Sequence, residues 1–120
     1  MTTREFVVQR HDVAPGDVHF DLMIEAGERL ATVQLAEPPG GEATPGRRSF
    51  PHRRAYLEYE GTISGDRGTV AIWDRGQVVD LEGAPDAPRY CGEFTGEHLH
   101  GRFELVGTGD DGVELRRVTG

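Results

Sequence analysis

Five histidines and 21 Asp and Glu residues supply most of the groups here that can bind a metal or move protons. His19 and Asp21 stand two apart in VHFDLMIE, Val18 to Glu25, where apolar and polar residues alternate. On a strand, residues i and i+2 share a face about 6.6 Å apart along the axis, so both side chains can reach one ion. His11 lies just before the Pro15-Gly16 turn signal and His19 just after it. If the flanking strands pair as a hairpin, His11 comes across from His19. Imidazole and carboxylate donors suit Mn²⁺, Fe²⁺ or Zn²⁺, and three ligands leave positions open for water or substrate. Ligation needs neutral imidazoles, so such a site holds its ion less well in acid. The same residue types also suit a solvated sheet face, and residue type alone does not separate the two.

Other groups are more ambiguous. His98 and His100 share a face of EHLHG, as ligands or as exposed residues beside a turn. Glu58 and Glu60 flank Tyr59, either as an acid–base pair or as a charged outer face that meets arginines. RRSFPHRR sets Arg47, Arg48, Arg53 and Arg54 around His52, as a positive pocket or as a solvated loop. Trp73 suits core or rim packing.

Short strands must position these groups. Seventeen glycines and seven prolines separate runs rich in Val, Ile, Phe, Tyr and Thr. The expected strands are EFVVQRH, VHFDLMIEA, RLATVQLA, RAYLEYEGTI, TVAIWDRG, QVVDLE, two within YCGEFTGEHLHGRFELVGT, and VELRRV. Glu37 to Arg48 reads as a long loop because of its Pro and Gly content. Asp74-Arg75-Gly76 reads as the end of a strand. No long helix is expected. This spacing predicts an all-β, mainly antiparallel fold, a small β-barrel of about eight strands with little helix. A sandwich is the competing architecture. Residues 1–120 are expected to form one domain.

Composition narrows the function. A net charge of −8 argues against broad nucleic-acid binding but permits a small positive pocket. One cysteine, Cys91, rules out an internal disulfide and a cysteine zinc cage. No leader-like or membrane-spanning apolar run is present, so a cytoplasmic protein without a membrane partner is expected.

Four segments together resemble the 3′-phosphoesterase domain of bacterial DNA ligase D and its stand-alone relatives. FVVQRHD followed by HFDLMIE is similar to that family's F-V-V-Q-K-H-x and H-Y-D-F-R-L-E. HRRAYLEYEG is similar to its H-P-L-x-Y-x-x-F-E-G. GTVAIWDRG and GEHLHGRFELV follow in the family's order, the latter similar to G-x-x-L-x-G-x-F-x-L. The resemblance covers nearly the whole chain. It implies a small antiparallel barrel and removal of 3′-phosphates and 3′-ribonucleotides from DNA ends during repair. It also implies a divalent metal, Mn²⁺ foremost with Zn²⁺ or Fe²⁺ as alternatives, held by His11, His19 and Asp21. His52 and Tyr56 match residues that contact the scissile phosphate. They lie four apart, so both face one pocket only if the backbone bends between them.

The chain departs from the pattern at three places. Met23 stands where the family has an arginine, on the same strand face as His19 and Asp21. Glu37 falls near the place of a family lysine. The His11 to His19 spacing is two residues longer. Arg47 or Arg48 is the expected replacement for the lost phosphate-binding charge. The leading expectation is therefore a metal-dependent phosphoesterase acting on nucleic-acid 3′ ends or a small phosphate ester. DNA-repair ligase or polymerase proteins are the expected partners. A catalytically impaired metal-binding accessory module is the alternative. A non-haem iron oxygenase built on His19, Asp21 and His98 is a third reading.

Overall fold

The structure is a computed structural model and describes residues 1–119. Among these, nine strands form one antiparallel sheet: β1 (Thr3–Ala14), β2 (Asp17–Ala26), β3 (Arg29–Leu35), β4 (Ala43–Arg53), β5 (Gly61–Thr62), β6 (Thr69–Gly83), β7 (Arg89–Thr95), β8 (His100–Gly109) and β9 (Gly112–Arg117). The order is β1-β2-β3-β4-β9-β8-β7-β6, and β1 pairs β6 to close the ring. The expected all-β antiparallel barrel is therefore present, with eight strands in the wall. Closure leaves no long open edge to template aggregation. Two-residue β5 is an appendage on β6.

Strand alternation sorts the side chains into two sets. Phe6, Val8, Phe20, Leu22, Ile24, Val33, Leu35, Phe94, Phe103 and Leu105 belong to the main core. Phe6 meets Phe94 edge to face at 5.1 Å, and Phe94 meets Phe103 at 5.9 Å. Each such side chain contributes about 1.5–3 kcal/mol by leaving water. The intervening residues of β1 and β2 point to the opposite face. There Val7, Met23 and Leu30 form a second, smaller apolar cluster. Tyr56, Leu57 and Ile72 pack against it.

Three sequence expectations are corrected. RAYLEYEGTI is not a strand. Arg54–Leu57 is a 3₁₀ turn and only Gly61–Thr62 is extended. Alternation over so short a run also fits one helical turn, and here Tyr56 and Leu57 turn onto the second cluster. Glu37 to Arg48 is not wholly loop, because β4 starts at Ala43. Gly46 is needed inside that strand, since a Cβ there would stand 2.4 Å from the Gln34 carbonyl oxygen. Finally, TVAIWDRG and QVVDLE are one strand, β6. Val8 opposes Asp74 while Gln9 opposes Ile72, so Trp73 is the extra residue of a bulge.

Asp74, expected at the end of a strand, is 4% exposed inside the continuous β6. Its Oδ1 accepts from the backbone N–H of Arg75 at 2.8 Å and Glu97 at 2.9 Å. Its Oδ2 accepts from those of His98 at 3.0 Å and Leu99 at 2.7 Å. The carboxylate thus fixes the loop that joins β7 to β8. A Cβ on Gly96 would stand 2.5 Å from Asp74 Oδ2, so that residue must stay small.

A second carboxylate ties β1, β6 and β7 together. Arg4 Nε and Nη2 donate to Asp80, each at 2.9 Å, and the buried Tyr90 hydroxyl donates to Asp80 Oδ1 at 2.7 Å. Burial alone would raise the Asp80 carboxyl, but the bonds from Arg4 and Tyr90 outweigh it and hold it below its ordinary value. Burial and the adjacent carboxylate push the Tyr90 phenol up, so it remains a donor. A carboxyl lowered by folding stabilises the fold above its unfolded-state value and loses that stabilisation as pH falls through its folded-state value. Urea midpoints should therefore drop as pH falls below about 4. Asp80→Asn should flatten that part of the profile, and an unchanged acid slope would contradict this role.

Candidate metal centre

The β1–β2 hairpin places His11 directly opposite His19. Asp21 follows on the same face of β2, opposite Gln9. His11 Nδ1 lies 3.1 Å from His19 Nε2. Asp21 Oδ2 lies 3.2 Å from His19 Nε2 and 3.7 Å from His11 Nδ1. Among the described residues these three form a group that can hold a metal ion.

Donor chemistry fits that role. Ligands about 2.1 Å from one ion sit roughly 3.0 to 3.4 Å apart in octahedral or tetrahedral arrangement. The two shorter spacings fall in that range, and the third needs a small adjustment. His11 Nε2 is 2.6 Å from the Arg67 carbonyl oxygen, which can only accept. The neutral ring therefore carries its proton on Nε2 and turns a lone pair on Nδ1 toward the cluster. Such outer partners commonly fix the tautomer of a ligating histidine.

Asp21 supplies the strongest chemical argument for a cation. It is 6% exposed. Asp74, the other buried carboxylate, is held by four backbone N–H groups. Asp21 has the two imidazoles, and among the described residues no arginine or lysine pairs with it. A buried carboxylate needs a compensating positive charge or a set of donors.

Around this group lies a cleft of about 460 Å³, lined also by Gln9, Met23, Arg29, Gln34, Ser49, Phe50, His52, Arg53, Tyr56 and Arg67. The 3₁₀ turn supplies the bend that His52 and Tyr56 require. Their rings meet edge to face at 5.5 Å. His52 Nδ1 is 3.0 Å from both the Phe50 carbonyl oxygen and Thr32 Oγ1. Since the carbonyl only accepts, the proton sits on Nδ1 and Nε2 is the free ring nitrogen. Gln9, 1% exposed, donates through Nε2 to the Tyr56 and Tyr59 carbonyls at 2.9 and 3.0 Å. It pins the 3₁₀ segment onto the sheet.

The expected arginines are placed differently. Arg48 is half-buried and donates to the Pro85 and Ala87 carbonyls at 2.8 and 3.1 Å. Burial lowers its guanidinium below the ordinary value. It does not line the cleft. Arg47 lines an adjoining groove that shares His19 and Gln34 with the cleft. Three arginines line the cleft instead: Arg53, one of the four noted around His52 in sequence, and Arg29 and Arg67, which sequence did not select. Arg29 and Arg53 are directly opposite across β3 and β4. Like charges so placed are destabilising. Among the described residues neither has a carboxylate partner within salt-bridge distance. No sequence pattern marks such a pair before the strand register is known.

The remaining candidates lie apart. Glu37 is exposed and does not line the cleft. His98 stacks on Trp73 with centroids 4.4 Å apart, so His11 is the third potential ligand beside His19 and Asp21. His100 Nδ1 is 3.3 Å from the Gly96 carbonyl oxygen. Glu58 pairs weakly with Arg75 at 3.9 Å, and Glu60 accepts from the Ile72 N–H at 2.8 Å. No helix is long and apolar enough to cross a membrane among the described residues.

The turn that carries Arg67 is held close to β1. Gly68 has φ +84°, and a Cβ there would stand 1.9 Å from the Asp12 carbonyl oxygen. Gly68→Ala should displace the turn and deprive His11 of its Arg67 partner. We expect Mn²⁺ binding to weaken by about 10- to 100-fold in calorimetric titration. Unchanged affinity would mean that the turn does not orient His11.

Neither a scan against protein-family models nor a search of curated proteins gives a match to this chain.

Proposed function

We propose that this chain is a divalent-metal-dependent phosphoesterase acting on the 3′ end of a nucleic acid, with Mn²⁺ held by His11, His19 and Asp21. The observation that carries the reading is one cleft that combines this ligand group with His52, Tyr56 and the unpartnered pair Arg29 and Arg53. In a chain of net charge −8, three arginines and one carboxylate line that cleft. An anion is the ligand that relieves the repulsion between Arg29 and Arg53. These two take the place expected for Arg47 and Arg48 and offset the arginine lost at Met23.

When bound, the ion draws electron density from a phosphoryl oxygen as a Lewis acid. The chain's own residues position the ester. Arg29 and Arg53 hold the phosphate and offset its developing charge. The Tyr56 hydroxyl donates to its oxygens, and His52 can do so through Nε2 only when that nitrogen gains a proton besides the one on Nδ1. Hydrolysis breaks the bond between phosphorus and the 3′ oxygen. The oxygen of water joins phosphorus, and a proton passes to the leaving oxygen. The product is a 3′-hydroxyl, the end that DNA-repair polymerases extend and ligases seal. Those are the partners this activity suits. Free Cys91 suits a reducing, cytoplasmic setting.

The test is phosphate release from a 3′-phosphorylated DNA primer–template with Mn²⁺. Release should require the metal. It should fall by about 10²–10³ for each of Arg29→Ala and Arg53→Ala. No release at high protein concentration would overturn the enzymatic reading. It would favour the metal-binding accessory module, which Met23 supports by removing a charge from the strand face of His19 and Asp21.

A further inference from the structure

We propose that Phe50 is a stacking platform for a nucleobase, so that the cleft selects a nucleotide end over a phosphate ester without a base. This inference rests on the phosphoesterase reading and names its substrate class. Phe50 is 70% exposed, yet it lines the same cleft as the metal ligands and the arginine pair. A single exposed phenylalanine is ordinary on a protein surface. This one is held in a defined orientation.

The strand register explains how. Thr32 opposes Ser49 and Leu30 opposes His52, so β4 carries one extra residue between Ser49 and His52. Such a bulge re-aims side chains, and here Ser49, Phe50 and His52 all line the cleft. The Phe50 and His52 rings are nearly parallel, 8° apart with centroids at 4.8 Å. The Phe50 carbonyl in turn lies at His52 Nδ1, 3.0 Å away. Both the ring stack and this contact fix Phe50 relative to His52. The aromatic series continues in the cleft with Tyr56, 5.5 Å from His52, and beyond it with Tyr59, 5.7 Å from Tyr56, in an adjoining pocket.

One face of the Phe50 ring is covered by His52, and the residue's high exposure leaves apolar ring surface for a planar ligand. A nucleobase stacks on an aromatic ring whatever its sequence identity. With the phosphate between Arg29 and Arg53, the platform would hold the terminal base at the mouth of the cleft. Sequence-tolerant stacking suits an enzyme of strand ends, which must accept any terminal base.

Calorimetric titration of EDTA-treated protein with deoxyadenosine 3′-monophosphate and with glycerol 2-phosphate tests the platform. We expect the nucleotide to bind about 5- to 100-fold more tightly than the ester without a base. Phe50→Ala should collapse that ratio toward one, and Phe50→Trp should preserve it. Reading a ratio separates base stacking from any shared effect of Phe50 on His52. A wild-type ratio near one, a ratio that Phe50→Ala leaves intact, or no nucleotide binding at millimolar concentration overturns the proposal. Base-selective binding without phosphate release from any ester would instead leave the platform standing and remove the phosphoesterase reading.

Discussion

His19→Ala should abolish tight Mn²⁺ binding and Mn²⁺-dependent phosphate release while leaving the barrel folded. His19 Nε2 is the central donor of the group, 3.1 Å from His11 Nδ1 and 3.2 Å from Asp21 Oδ2. Without it, two ligands remain, and one of them is a buried carboxylate without arginine or lysine. Loss of an outer-shell partner typically costs 10- to 100-fold in metal affinity, so loss of a direct ligand should exceed about 100-fold. The side chain lies outside the main core, so the thermal midpoint should move by only about 3 °C. Inductively coupled plasma analysis after dialysis, with circular dichroism beside it, reads both quantities. Equal Mn²⁺ content in the two proteins would remove the ligand assignment.

Asp74→Ala should have the largest effect on stability. Four backbone N–H groups lose their acceptor together. Hydrogen bonds to a charged group contribute about 1.5–3 kcal/mol each in favourable cases. Glu97 and His98 are exposed, so their N–H groups can recover water, whereas Leu99 is fully buried. We therefore expect a loss of about 3–5 kcal/mol, less than four full bonds. For a chain of this length that lowers the thermal midpoint by about 10–25 °C. Asp74→Asn should lose less, because one oxygen still accepts. A midpoint for Asp74→Ala within a few degrees of wild type would show that the loop holds itself.

Much of the fold was legible. Alternation in VHFDLMIE and the Pro15-Gly16 turn predict a β1–β2 hairpin, and that pairing sets His11 against His19. The bend between His52 and Tyr56 could be stated only as a requirement. The 3₁₀ turn that supplies it was hidden because the alternation in RAYLEYEG also satisfies a strand. β4 was partly hidden because Pro45 and Gly46 are turn signals in sequence but close-approach positions in this wall. Asp74 was missed because a carboxylate that accepts from a distant loop leaves no local pattern.

The charges of the cleft were the least legible. Arg48 was selected for its place beside His52 in sequence, but its guanidinium turns to the Pro85 and Ala87 carbonyls. Arg29 gives no signal until the β3–β4 register places it opposite Arg53. Met23 shares the strand face of His19 and Asp21, as expected. It is also packed with Val7 and Leu30, 1% exposed, and helps seat the 3₁₀ segment. An arginine there would therefore bury a charge in an apolar cluster. Met23 is thus packing where the resemblance implies an arginine, and the proposed anion site rests on Arg29 and Arg53 instead.

The most direct test of the metal centre is anomalous diffraction from crystals soaked in Mn²⁺ and phosphate. One Mn²⁺ peak is predicted about 2.1–2.2 Å from His11 Nδ1, His19 Nε2 and an Asp21 carboxylate oxygen. The phosphate is predicted beside it, against Arg29 and Arg53. No Mn²⁺ at these three atoms, with the ion bound elsewhere or not at all, would contradict the account.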